Sequence, residues 1–221
     1  FVIWDKEKKE LFGARDIFGI KPFYYYKNGD QFFVGSEIKS FLSHPCFVKE
    51  LDEEKIPEYL SYEYIPYEST IFKNVYKLPG AHCFTYKDGK LTVERYYRIQ
   101  YRIEEDKPLE YWEEQIQKEF EESVAMHQIA DVEVGCFLSS GVDSSYVVRE
   151  ISKGTEKVKT FSVGYTEEKY SELPYAQKFS QTIGVENISN KVSADEFFDA
   201  VPEIQYMLDE PLPLSLIHIS E

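Results

Sequence analysis

Hydroxyl-bearing, small and acidic side chains cluster in one short segment in the middle of the chain. The segment is Phe137-Leu138-Ser139-Ser140-Gly141-Val142-Asp143-Ser144-Ser145, where an apolar strand is predicted to end and a helix to begin. Gly141 permits backbone angles and a close approach that a side chain would forbid. The new helix offers unpaired N–H groups and a partial positive charge, and the serine hydroxyls add further donors. Together these features predict a binding site for phosphate.

Asp143 is the exception in this segment, because phosphate would repel its carboxylate. Its presence is explained if a magnesium ion lies between the two, since hard cations bridge carboxylate and phosphate oxygens. The segment lacks the Gly-x-x-x-x-Gly-Lys-Ser/Thr pattern, which disfavours kinases and GTPases of the Walker type. An ordinary strand-to-helix turn, with Asp143 or Ser144 as the N-cap, is the alternative. The end of the first strand of a parallel sheet is where ligands usually bind, and this position favours the phosphate site.

Strands and helices are predicted to alternate around this segment. The predicted strands are 132–138, 158–163 and 185–192, and the predicted helices are 109–128, 145–153, 174–183 and 194–208. This alternation is typical of a parallel sheet with crossover helices.

The first hundred residues have a different pattern, rich in aromatic residues that suit half-buried strands. Strands are predicted at 1–4, 10–14, 23–26, 31–34, 82–86 and 91–97, and helices at 37–42 and 53–62. Asn28-Gly29 is a strong hairpin signal, and Asp52 is a predicted N-cap. The pattern changes near residue 105, which predicts two domains, 1–105 and 106–221.

The composition disfavours several classes of partner. The 40 acidic and 25 basic residues give a formal net charge of −15, so nucleic acid is not an expected ligand. The sequence has neither an apolar stretch of about 18 residues nor a signal peptide, so no membrane association is expected. Cys46, Cys83 and Cys136 are odd in number and far apart, which suggests neither a disulfide framework nor a zinc site. A cytoplasmic location is therefore predicted.

Ser139–Ser144 resembles the pyrophosphate loop of the N-type ATP pyrophosphatases, Ser-Gly-Gly-x-Asp-Ser, with Ser140 in place of the first glycine. Further segments resemble the glutamine-hydrolysing asparagine synthetases over nearly the whole chain and in the family's order. Downstream these are 131–138, 160–164 and 170–176, and upstream they are 3–5, 14–25 and 35–39, with a weaker match at 77–80 and His82.

The resemblance implies both a fold and a reaction. The fold would be α+β followed by α/β: the C-terminal part of an antiparallel N-terminal-nucleophile glutaminase-like domain, then the first half of a parallel adenine-nucleotide alpha-hydrolase-like domain. The parent protein would be an ATP-dependent carbon–nitrogen ligase. ATP and aspartate would give β-aspartyl-adenylate and pyrophosphate on magnesium, and ammonia from glutamine would then displace AMP to give asparagine. A homodimer of the full-length protein would be consistent with this family.

The resemblance also implies roles for individual residues. Ser139, Ser140, Gly141, Val142, Asp143 and Ser144 would hold pyrophosphate, and Asp143 would contact magnesium. Leu138 and Val163 would contact the adenosine part, with Gly164 nearby.

Other parts of the family pattern are missing. The family's glutaminase nucleophile is an N-terminal cysteine, whereas this chain opens with Phe1 in a strand-like segment. We therefore expect a chain truncated at both ends that retains no catalytic residue and is inactive alone, with a non-native tail at 212–221. The alternatives are a related amide ligase or cyclase acting on another carboxylate, and a non-catalytic binding module. Arg15, Asp16 and Lys21 look catalytic in isolation, but their place after a strand and before Pro22 predicts a structural or domain-interface role.

Overall fold

The computed structural model describes residues 1–103, 106–154 and 158–211. Contacts divide the chain into two compact units, one of Phe1–Tyr101 with the described residues from Pro202 on, and one of Arg102–Val201. The domain limits 1–105 and 106–221 remain a prediction. The proposed non-native tail, 212–221, lies outside the described residues.

The first unit contains seven strands and short helices in its described part. The strands are β1 Val2–Asp5, β2 Glu10–Ala14, β3 Tyr24–Asn28, β4 Gln31–Gly35, β5 Val75–Lys77, β6 His82–Lys87 and β7 Lys90–Arg95. They form two antiparallel sheets with the orders β1-β2-β6-β7 and β4-β3-β5. 3₁₀ helices lie at Ile38–Ser43 and Glu53–Lys55, and helix α1 spans Ile56–Tyr62.

The predicted hairpins of the first unit are confirmed. β3 and β4 pair from Tyr24↔Gly35 to Asn28↔Gln31, so the Asn-Gly turn joins them as expected. Asp52 accepts a hydrogen bond from the Glu54 N–H, as expected of an N-cap. The segment 37–42 forms a 3₁₀ helix at Ile38–Ser43, and β7 ends at Arg95 rather than at Tyr97.

Aromatic side chains form the core of the first unit. One cluster is built on Tyr26, Ile38, Phe41 and Val75, and the other on Phe23, Leu78 and Phe84. Burial of such large side chains supplies most of the free energy that holds the two small sheets.

The second unit contains the predicted parallel sheet. Its strands are β8 Cys136–Phe137, β9 Lys159–Tyr165 and β10 Glu186–Val192, in the order β10-β9-β8, and both pairings are parallel. The helices are α2 Leu109–His127, α3 Val142–Gly154 and α4 Leu173–Ile183, and α5 follows at Ala194–Leu208.

Two boundaries next to the predicted phosphate site differ from the sequence prediction. The strand predicted at 132–138 is only Cys136–Phe137, because these residues alone pair with Thr160 and Phe161 of β9. The helix predicted from Ser145 begins at Val142. Asp143 and Ser144 therefore lie in its first turn, and neither is the N-cap considered as an alternative.

Apolar side chains join the helices to the sheet of the second unit. Leu138, Val148 and Ala176 form one buried cluster, and Val124, Ile151 and Val158 form another, with Cys136 packed against both. Burial raises the pKa of the Cys136 thiol, which fits a packing role for this residue. Within the described ranges, no helix is long and apolar enough to cross a membrane.

Candidate functional site

Leu138 connects strand β8 to the serine-rich loop. Its side chain is 3% exposed and packs with Val148 and Ala176. Its N–H donates to the Phe161 carbonyl over 2.8 Å, which continues the pairing between β8 and β9. The loop therefore starts from a fixed point, and Leu138 presents little surface to a ligand.

A chain of polar side chains fixes the same point from the neighbouring strands. The Ser162 hydroxyl donates to the Leu138 carbonyl over 2.7 Å, and the Asn187 amide donates to the Ser162 hydroxyl over 2.9 Å. Asn187 also donates to the Thr160 hydroxyl over 2.9 Å. Sequence reasoning missed this arrangement, although Thr160 and Ser162 lie on the buried face of β9 and alternate with the exposed Phe161 and Val163.

The hydroxyls of Ser139 and Ser144 converge across the loop. Their oxygens lie 2.9 Å apart, and the Ser139 N–H donates to the Ser144 hydroxyl over 3.2 Å. Ser144 in turn donates to the Gly141 carbonyl over 3.2 Å, and the Gly141 N–H donates to the Ser139 hydroxyl over 3.2 Å. These four contacts close the loop into a small ring, within which the N–H groups of Ser139 and Gly141 and the Ser144 hydroxyl all donate.

Gly141 contributes through close approach rather than through unusual backbone angles. It is absent from the glycines with positive φ in the described chain. A Cβ on Gly141 would lie 3.3 Å from the Ser139 hydroxyl oxygen, which is tighter than an ordinary contact. Glycine is therefore favoured here because the loop folds over Ser139.

The first turn of α3 presents Val142 and Asp143 to solvent. The Val142 side chain is 83% exposed, and Asp143 is exposed as well. The first amides of a helix have no acceptor within the helix, so they remain able to bind an anion. Acidic residues are also favoured at this end of a helix by its dipole.

Asp143 provides one carboxylate for a divalent cation. In the described part of the chain, no group of three or more His, Cys, Asp or Glu side chains could hold a metal ion. Magnesium is commonly held by one or two carboxylates together with substrate phosphates and water, rather than by a full protein cage. A single exposed carboxylate beside the predicted phosphate-binding loop fits that mode of binding.

Glu172 contacts the loop from the start of α4 and was not singled out by sequence reasoning. Its carboxylate accepts a hydrogen bond from the Ser140 hydroxyl over 2.6 Å and from the Ser140 N–H over 3.4 Å. The two residues are 32 positions apart, so only the folded sheet brings them together.

A cleft of about 180 Å³ adjoins the loop at the ends of β8 and β9. Its lining includes Phe137, Leu138, Ser139, Phe161, Ser162, Val163, Glu172, Leu173 and Ala176. The Val163 side chain is 64% exposed and is free to contact a ligand. Gly164 is buried under the start of α4, since a Cβ there would lie 2.4 Å from Leu173 Cγ.

A larger cavity of about 730 Å³ lies in the first unit. Arg15 and Asp16 are among the residues that line it. The Arg15 guanidinium donates to the carbonyls of Lys21, Leu78 and Gly19 over 2.8, 2.6 and 2.7 Å. Hydrogen bonds from the main-chain N–H groups of Lys21 and Ile20 lower the pKa of Asp16. Both side chains hold a turn together, which confirms the structural role predicted for them.

Comparison with known proteins relates both parts of the chain to one kind of enzyme. Residues 1–97 match the family model described as Glutamine amidotransferase domain, and residues 115–217 match the model described as Asparagine synthase. The chain is 36% identical over 217 residues to asparagine synthetase [glutamine-hydrolyzing] 1 of Bacillus subtilis (strain 168), a match that covers 96% of this chain and 33% of the relative.

Two further relatives show how far this similarity extends. The chain is 34% identical over 220 residues to a putative glutamine-hydrolysing asparagine synthetase of Mycobacterium tuberculosis (strain H37Rv), covering 96% of this chain and 34% of that protein. It is 27% identical over 233 residues to amidase chry2 of Gibberella zeae, covering 96% of this chain and 34% of that protein. The chain thus spans about a third of the length of these curated relatives. The resemblance predicted from the sequence is confirmed.

Proposed function

From its homology to the glutamine-hydrolysing asparagine synthetases, we propose that this chain serves the ATP-dependent formation of asparagine. In that reaction ATP and aspartate give β-aspartyl-adenylate and pyrophosphate, and ammonia from glutamine then displaces AMP. The first unit would be part of an N-terminal-nucleophile glutaminase-like domain. The second would be the first half of an adenine-nucleotide alpha-hydrolase-like domain.

The observation that carries this proposal is the closed serine ring at the start of α3. Ser139, before the helix, and Ser144, in its first turn, place their hydroxyl oxygens 2.9 Å apart beside helix amides that are open to an anion. With Gly141 and Val142, they form the proposed cradle for pyrophosphate. Donors fixed in advance around a departing anion stabilise the charge that develops as the bond to it breaks.

Asp143 is the proposed contact for magnesium. Its carboxylate would otherwise weaken phosphate binding, because two groups of negative charge would share one helix end. A magnesium ion, when bound, supplies charge neutralisation between phosphate oxygens and this carboxylate. The role of this chain is to hold that carboxylate on the first turn of a rigid helix.

The adenosine part of ATP is proposed to lie against the neighbouring cleft. Val163 is exposed there, whereas Leu138 lines the cleft but is 3% exposed. Gly164 lies beside Val163 under α4, where it supports the wall of the cleft.

Binding of ATP with magnesium, measured by isothermal titration calorimetry, tests this proposal. We expect Asp143→Ala to lower the affinity about tenfold or more, since one charge-assisted contact is worth roughly 1.5–3 kcal/mol. Asp195→Ala is a matched control, because Asp195 is also an exposed aspartate in the first turn of a helix. Equal binding by the wild type and Asp143→Ala would exclude the proposed nucleotide site.

A related amide ligase acting on another carboxylate is the second candidate. The similarity to a protein named amidase chry2, over 96% of this chain, is the observation that supports it. Calorimetric titration with ATP and magnesium in the presence of aspartate or of other carboxylic acids distinguishes the two, because it needs no catalysis by this chain. Tighter binding with aspartate alone favours asparagine formation.

A further inference from the structure

The contact between Ser140 and Glu172 has no part in the function proposed above. We propose that Glu172 positions the phosphate-binding loop by holding Ser140, and that this contact keeps the Ser140 hydroxyl away from the bound anion. This inference rests on the proposed function, because it assigns a positioning residue to the same site. It also changes the role expected of Ser140 from phosphate ligand to tether.

The argument begins with the single proton of the Ser140 hydroxyl. A hydroxyl donates one hydrogen bond, and Ser140 donates to the Glu172 carboxylate over 2.6 Å. A bond to a carboxylate is charge-assisted and roughly twice as strong as a neutral one. Ser140 therefore cannot donate to phosphate without giving up its strongest contact.

Ser139 and Ser144 are in a different position. Their hydroxyls contact each other and the main chain of Gly141, all of which are neutral groups. Such bonds are exchanged for bonds to phosphate at little cost, because the new acceptor is charged. The anion is therefore held by these two hydroxyls and the helix amides, while Ser140 stays bound to Glu172.

Glu172 is anchored well enough to serve as a tether. It directly precedes α4, and its side chain makes no capping hydrogen bond to that helix, so the carboxylate is available for Ser140. The next residue, Leu173, is 4% exposed and packs over Gly164 of β9. The contact thus joins the loop to a helix start that is itself fixed on the sheet.

Ser140 also stands where the pyrophosphate-loop pattern has a glycine. A glycine has no hydroxyl, so a loop with glycine at this position could not make this contact through a side chain. Holding a loop in its binding conformation raises affinity, because less conformational entropy is lost when the ligand binds.

Calorimetric titration of the full 221-residue chain with magnesium and inorganic pyrophosphate tests the proposal. We expect Glu172→Gln and Ser140→Ala each to lower the affinity about three- to tenfold. Because Glu172→Gln weakens the contact that Ser140→Ala removes, the double variant should bind no more weakly than Ser140→Ala alone. Ser140→Thr retains the hydroxyl and should bind pyrophosphate as tightly as the wild type does. Glu168→Gln, an equal change of charge on an exposed glutamate of the same unit, is the control.

Unchanged or tighter binding by Glu172→Gln would overturn the proposal, as would effects that multiply in the double variant. Amide hydrogen exchange of the ligand-free chain provides a second measurement that needs no ligand. Both single variants should exchange faster than the wild type at Ser140 and Gly141, and equal rates would also overturn the tether. If the wild type shows no pyrophosphate binding but the exchange rates differ as expected, the proposed function fails and the tether stands.

Discussion

Gly164 lies in β9 directly beneath the first residues of α4. A Cβ at this position would be 2.4 Å from Leu173 Cγ and 2.5 Å from the Ser171 hydroxyl oxygen. We expect Gly164→Ala to lower the free energy of unfolding by about 1–3 kcal/mol, because overpacking displaces a helix that lies on a fixed strand. Chemical denaturation monitored by circular dichroism measures the change.

Gly154→Ala is the matched control for this substitution. Gly154 is the last residue of α3, and a Cβ there meets no atom within 4 Å. Alanine is also the better helix former, so the variant should be as stable as the wild type or slightly more stable. Equal losses at the two positions would show that the close packing of Gly164 is not the cause.

At the scale of residues, the sequence was sufficient to predict that groups close together along the chain act together. Ser139, Gly141 and Ser144 were predicted to act together, and the structure brings their polar atoms into one ring. Glu172 and Asn187 were missed because their contacts depend on how α4 and β10 pack beside β9. No local sequence pattern encodes that packing, because a polar residue at a helix start or in a strand is as compatible with exposure to solvent as with such a contact.

At the scale of elements, burial raises the pKa values of two tyrosines in strand β3. Burial, together with the nearby Tyr76 and Glu68, raises the pKa of Tyr25 to about 12. Burial and Glu210, which accepts a hydrogen bond from its hydroxyl, also raise the pKa of Tyr24. A raised pKa means that the folded state holds the phenol proton more tightly than the unfolded state does.

This shift predicts a loss of stability in alkaline solution. The contribution of Tyr25 is fully present below its unfolded pKa of about 10 and is lost as the pH rises toward about 12. We expect the free energy of unfolding to fall across this window, and Tyr25→Phe to make the fall shallower. Unfolding in urea at several pH values measures the slope. Tyr101, which is 87% exposed, supplies the control Tyr101→Phe, and an equal change of slope in both variants would contradict the assignment.

Periodicity in the sequence predicted whether a segment is a strand or a helix more reliably than it predicted where the segment ends. The apolar alternation of 132–138 matched a strand, but Val132 is 77% exposed and only Cys136–Phe137 find a partner strand. β5 was missed because three residues are too few to show a period, and pairing with β3 defines it. The N-terminus of α5 carried a usable signal, since Ser193 and Glu196 form reciprocal side-chain to main-chain hydrogen bonds of a capping box.

At the scale of the whole molecule, negative charge is the dominant electrostatic property. The formal net charge is −15 at pH 7 over 221 residues. Most ion pairs of the described residues lie at the surface, for example Lys73–Glu50 and Lys118–Glu122. Such pairs contribute little to stability, so repulsion among the excess carboxylates is expected to outweigh them.

This balance predicts that sodium chloride stabilises the chain. Raising its concentration from about 0.01 to about 0.15 M shortens the screening length from about 30 to about 8 Å, which weakens repulsion between distant carboxylates more than it weakens close pairs. We expect the thermal unfolding midpoint to rise over this range. Chloride is used rather than sulfate, because sulfate also strengthens apolar burial. Replacing the exposed Glu113, Glu114 and Glu119 of α2 with glutamine reduces the excess charge and should make the rise smaller. A midpoint that falls with added chloride would mean that the surface ion pairs outweigh the repulsion.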